Sequence, residues 1–185
     1  MCRDSSVERV CEVAVTRIVS VEDAEALAAV LRANREFLAP WDPVRDEHYF
    51  TVEAQRTGLE QALDGYARKA MVPLAIVGED GHIVGRININ GITRGAFQSA
   101  AIGYWVGQSS NGRGFATAAV AEVAAIAFGE LGLHRLQAET LLHNVGSQRV
   151  LIRNGFQPFG IAPKYLKIAG TWQDHILFHL LAPAQ

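Results

Sequence analysis

The chain has 185 residues, 49% apolar and 19% charged, a balance that excludes disordered, collagenous and disulfide-stapled classes and predicts a single domain over 1–185. A formal net charge of −2 supplies no concentrated basic face for nucleic acid, and no apolar run reaches the roughly 20 residues that span a bilayer. Cys2 and Cys11 lack the paired spacing of a zinc or redox site, so no metal is expected, and residues 1–11 read as a loose N-terminal segment of a cytoplasmic protein.

Residues 12–19 alternate enough to read as a first strand. Ser20 before Val21-Glu22-Asp23 is an N-cap followed by first-turn acids, and the helix it opens carries Ala24, Leu27, Ala28 and Leu31 on one face. That helix should run to about residue 38, because Ala39-Pro40-Trp41-Asp42-Pro43 cannot continue it. A second helix is expected over 52–70, then a strand over 71–77 and, across the Asp80-Gly81 turn, a returning strand over 82–89. A strand over 99–106 leads into a polar glycine-rich segment. The next helix, 115–131, shows Val120, Val123, Ala124, Ala127 and Leu131 at helical spacing. A strand over 134–141, a short helix over 144–154, a strand start at 156–160 and a hairpin of 165–168 with 172–180 complete the chain. Strands mixed with helices, hairpins around one strand-helix-strand crossover, make the class α+β, or mixed α/β.

The segment Asn111-Gly112-Arg113-Gly114-Phe115-Ala116 stands between a strand ending in Tyr104-Trp105-Val106 and a long helix. The first N–H groups of a helix have no partners within it, and its dipole places about half a positive charge there. Two glycines one residue apart let backbone approach phosphate oxygens, so a diphosphate is a natural occupant; a tight connection alone is the other reading. Neither the nucleotide P-loop nor the three-glycine dinucleotide fingerprint is spelled here, which leaves coenzyme A to consider.

Gly112-Arg113-Gly114-Phe115-Ala116-Thr117 resembles the R/Q-x-x-G-x-G/A motif of the GNAT superfamily of N-acetyltransferases, with Ser109 where Arg or Gln is usual. Gly103-Tyr104-Trp105, His134-Arg135-Leu136, His143-Asn144 with Ser147, Gly155-Phe156, Tyr165-Leu166 and Trp172-Gln173-Asp174-His175 resemble its RimJ/RimL branch, the ribosomal-protein-alanine N-acetyltransferases. The resemblance implies a mostly antiparallel sheet with one splayed parallel strand pair, flanked by helices. It implies acetyl-CoA lying between the strands that end near Val106 and Leu141. Backbone of Tyr104, Trp105 and Val106 would pair with the pantetheine, Asn111 to Thr117 would hold the pyrophosphate, and Asn144 would bond the coenzyme or cap the following helix.

For catalysis the resemblance implies Ser147 as proton donor to the thiolate. Two positions depart from it. Leu151 stands where many relatives carry a tyrosine acid, and Phe159 where relatives commonly carry a glutamate proposed as general base. The base must then lie elsewhere, be water or be unnecessary, and the candidate replacements are His143, Asp42, Glu53 and the Asp174-His175 pair. Trp41, Asp42, Tyr49, Tyr165 and Trp172 suit a cationic acceptor, and Asn88 could bond an acceptor amide. The expected activity is transfer of acetyl to a primary amine, first the α-amine of a ribosomal or other protein. The rival acceptor is a small amine such as an antibiotic or polyamine. A non-catalytic acetyl-CoA-binding module is a third reading, and a homodimer is left open.

Overall fold

A computed structural model describes residues 15–183. The cysteines at 2 and 11, the proposed loose segment and the beginning of the expected first strand lie outside the described residues. Seven strands form one sheet in the order β1-β2-β3-β4-β5-β7-β6. They are β1 (Thr16–Ile18), β2 (Val72–Val77), β3 (Ile83–Thr93), β4 (Ser99–Val106), β5 (Arg135–Leu141), β6 (Gln157–Ile168) and β7 (Thr171–Leu181). Every neighbouring pair is antiparallel except β4 with β5. The helices are α1 (Ala24–Ala33), α2 (Arg35–Leu38), α3 (Val52–Ala67), α4 (Phe115–Ala125) and α5 (Val145–Arg153).

The strand period of two sorts side chains to opposite faces. Val72, Leu74, Ile76, Ile87, Ile89, Ile102, Leu136 and Phe178 meet the inner faces of α4 and α5, including Val120, Val123 and Leu151. On the other face Ala75, Ile83 and Trp105 meet Ala24 and Leu27 of α1 and Leu59 of α3. The polar residues of Arg86-Ile87-Asn88-Ile89-Asn90 therefore share the face that α1 and α3 partly cover.

Three expected elements differ in the structure. The helix after Ser20 breaks at Asn34 (φ −113°, ψ 12°), because the Asn34 amide turns to bond Val30 carbonyl and the Gln108 N–H, the latter at 2.7 Å. Helix α4 ends at Ala125 and continues as a π turn over Ile126–Glu130. The two strand pieces after Phe156 are one strand, β6, whose register shifts between Ala162 and Leu166. Lys164 there has φ 49°, and its N–H donates to Asp174 Oδ1 at 2.8 Å, which fixes the bulge.

The parallel pair matters most for the site. Strands β4 and β5 pair only through Ser99↔Arg135, Ala100↔Leu136 and Ala101↔Gln137, then run on to Val106 and Leu141 without pairing each other. Backbone N–H and C=O groups on the parting edges lack sheet partners there, and they need some other hydrogen-bonding group.

Candidate active site

At the end of β4 the glycine turn adopts the conformation its residues permit. Gly112 and Gly114 have φ of +77° and +93°, the left-handed region that a side chain resists. Asn111 Oδ1 accepts from the Gly112 N–H at 2.9 Å and holds the turn in shape. Gly114 is the N-cap of α4, and with no side chain to cap the helix, the first N–H groups of α4 stay available to an anion. Phe115 is buried in the core, so it offers backbone only. The Arg113 guanidinium lies over the Phe115 ring and 3.3 Å from Glu79 Oε1, an exposed pair whose attraction water screens.

A cavity of about 320 Å³ opens between the parting strands and α5, and it gathers Tyr104, Trp105, Val106, Asn111, Ala116, His143, Asn144 and Ser147. Gly112, Arg113, Gly114 and Thr117 stand outside its lining, on the turn beyond it. Asn144 is the N-cap of α5, its Oδ1 accepting from the Ser147 N–H at 3.1 Å. Helix capping thus uses its carbonyl end, and its amide nitrogen makes no hydrogen bond among the described residues. Tyr104 Oη and Ser147 Oγ are 2.8 Å apart. Burial pushes the Tyr104 phenol up to about 12, against the opposing pull of its bond to Ser147. The His143 ring packs against Trp41 with centroids 5.4 Å apart.

A second cavity, of about 310 Å³, lies on the face that carries α1 and shares Leu38, Trp41, Tyr104 and Trp105 with the first. It brings together Trp41, Asp42, Tyr49 and Asn88 from the expected acceptor set. Tyr165 and Trp172 line neither cavity. They stand exposed on the last hairpin, Tyr165 resting on the His175 ring.

The expected bases are dispersed. Arg45 grips Asp42 through both carboxylate oxygens, at 2.7 and 3.2 Å. Glu53 is exposed in the first turn of α3, and Asp174 is engaged by the β6 bulge. His175 is buried, with its Nδ1 2.9 Å from the Gln173 carbonyl. Leu151 is wholly buried in the core, and Phe159 packs under Arg135 and beside His179 without lining either cavity.

Sequence reasoning passed over three charged groups. Arg45 and Arg86 line the second cavity. Burial pulls the Arg86 guanidinium down, while Tyr49 and Asp23 act in the opposite direction. Glu139 lies two residues beyond the last β4–β5 pair, on the same face of β5 as Gln137. Burial raises its carboxyl, which has no hydrogen bond or ion pair among the described residues. The alternation in Arg86-Ile87-Asn88 was the available signal for Arg86. Its meaning depended on what covers that face.

An open mixed sheet splayed at its one parallel pair, with a free helix N-terminus beside the split, is the architecture of an acyl-transferring enzyme. The chain belongs to the GNAT acetyltransferase family, whose acetyltransferase (GNAT) domain profile matches residues 15–157. It is 37% identical over 168 residues to a probable N-acetyltransferase, YjcK, of Bacillus subtilis, covering 90% of this chain and 93% of that protein. It is 32% identical to the [ribosomal protein uS5]-alanine N-acetyltransferase of Escherichia coli, over 91% of this chain and 88% of that one. The structure of Mycobacterium smegmatis RimJ in complex with CoA-disulfide superposes with a TM-score of 0.87 at 34% identity, covering 90% of this chain and 81% of that one.

Proposed function

We propose that this acetyltransferase moves the acetyl group of acetyl-CoA to the N-terminal α-amine of a protein, a ribosomal protein first among candidates, by direct attack in a ternary complex. The observation that carries the reading is the meeting of two cavities at Leu38, Trp41, Tyr104 and Trp105, one reaching the glycine turn and the other opening on the acceptor face. The likeness in sequence to the E. coli uS5-alanine enzyme supports the protein acceptor, and the likeness to the CoA-bound RimJ supports the coenzyme.

In this reading the N–H groups of the turn and of the first turn of α4 receive the pyrophosphate, and the free edge of β4 pairs with the pantetheine. The coenzyme supplies a thioester, whose carbonyl an amine can attack. An α-amine of pKa 7.7 to 8.0 is roughly a third neutral at pH 7.5, against about 0.1% for a lysine, a difference of about 3.5 kcal/mol. The site therefore needs no strong base for an α-amine.

Proton accounting limits what Tyr104 does. A phenol pushed up to about 12 is a poorer acid than an ordinary thiol near 8.5, so giving its proton outright to the departing thiolate is uphill. The Tyr104–Ser147 pair instead offers a hydrogen bond to the developing sulfur charge. The proton that finally neutralises the thiolate is the one the attacking amine sheds. Glu139, on β5 just beyond the point where β4 and β5 part although in the lining of neither cavity, is our candidate to take it in transit.

Two measurements test the reading. Acetyl-CoA must raise the melting temperature, since a ligand of the folded state stabilises it. Release of free CoA thiol must follow addition of Ala- or Ser-starting peptides. Turnover of small amines alone would replace the protein acceptor, and binding without any turnover would leave a coenzyme-binding module.

A further inference from the structure

The acceptor-side cavity holds more positive than negative charge. Asp42 lines it, but both of its oxygens are taken by Arg45. Arg86 lines the same cavity without a carboxylate within ion-pair distance among the described residues. Its Nη2 reaches Asn88 Oδ1 at 3.4 Å, and its Nε is buried without a hydrogen-bond partner. Asp23, on the neighbouring helical turn, is occupied by two hydrogen bonds of 2.7 Å from Arg17 and one of 2.8 Å from the Ser20 N–H. Tyr49, Trp105 and the Asp42–Arg45 pair complete the surroundings, and none of them supplies an unspent negative charge.

A guanidinium withdrawn from water without a counter-ion is costly to keep, and its planar fork matches a carboxylate. Arg86 is in register with Trp105, which also lines the coenzyme-side cavity, so an anion held at Arg86 sits near the place where the amine must meet the thioester. We propose that Arg86, with Asn88 beside it, is a recognition site for a carboxylate that the acceptor carries close to its amine, an acidic side chain in the first few residues of the acceptor's N-terminal segment. This rests on the N-terminal acetyltransferase reading above. It reverses the expectation of a cavity shaped only for a cation: the amine end meets Trp41 and the strand edges, while the next part of the acceptor meets Arg86.

The test compares Ala-starting peptides that differ only in Glu or Gln at the second, third or fourth position, read as kcat/KM from thiol release. The expected result is a preference of about 10- to 100-fold for Glu at one of these positions, the range of a charge-assisted hydrogen-bond pair. Arg86→Gln should bring that ratio close to one, and Arg86→Lys, which keeps the charge and loses the fork, should retain part of it. The peptide comparison in the unmodified protein stands even if a variant fails to fold. Equal turnover of Glu and Gln peptides at every position overturns the carboxylate site and leaves the acetyltransferase reading intact. Failure to turn over any peptide, with acetyl-CoA still raising the melting temperature, overturns the protein acceptor and this proposal with it.

Discussion

Tyr104 Oη lies 2.8 Å from Ser147 Oγ, tying β4 to the first turn of α5 across the gap where β4 and β5 part. The bond does two things at once. It links the two sides of the open split, and it leaves one hydroxyl hydrogen of the pair for a cavity that Trp41, His143 and the cap residue Asn144 also line.

If the pair acts as one hydrogen-bonding unit toward the leaving sulfur, Tyr104→Phe and Ser147→Ala should each lower kcat by about 10- to 100-fold, and the double variant should lose little more than either single one. Multiplicative losses would show two independent roles. Unchanged turnover in Ser147→Ala would remove Ser147 from the mechanism.

Glu139 should show its burial in two readouts. Its folded-state pKa is raised, so the folded protein binds the proton more tightly than the unfolded chain. Stability then falls as pH rises from the unfolded carboxyl value of about 4.3 through the raised folded value, and the full cost persists above it. Glu139→Gln should therefore melt at a higher temperature than the parent at neutral pH and no higher below pH 4. The same variant should lose the acidic limb of the kcat/KM profile. Retention of that limb would exclude Glu139 from proton transfer.

Gly112→Ala places a side chain on a backbone with φ +77°, where the added carbon meets nothing within 4 Å. The cost to folding is then backbone strain alone, about 1–2 kcal/mol. The methyl group also crowds the cradle, so the acetyl-CoA dissociation constant measured by calorimetry should rise at least about tenfold, the effect of 1.4 kcal/mol. An unchanged constant would place the pyrophosphate elsewhere.

Leu151 has no exposed surface and packs in the core beneath α5, so the position where relatives carry a tyrosine is an interior one in this chain. Leu151→Tyr should destabilise by about 1–3 kcal/mol through overpacking, read as a lower melting temperature, and should not raise turnover. Increased kcat would show that a phenol at 151 reaches the reacting sulfur after all.

The sequence by itself determined the parts of this protein that depend on neighbours along the chain. Ser20 is the N-cap expected of it, β4 runs over the residues expected, and the glycines at 112 and 114 take the left-handed conformation that only their missing side chains make cheap. Motif spacing, also local, carried the family. What the tertiary structure decided was everything that depends on which face is covered and which charge is already spent. Asp42 reads as a free carboxylate for an amine until Arg45 is seen holding it, and the amide of Asn34 reads as an ordinary helix residue until Gln108, far along the chain, is found bonded to it. The contact of the Tyr104 phenol with Ser147 was likewise not legible in the sequence. Arg86 and Glu139 passed unnoticed because a charged residue on a strand is ordinarily solvated. Burial of these two charges, on one face of the sheet and, for Arg86, beneath its helical cover, is a tertiary fact that the strand pattern alone does not announce.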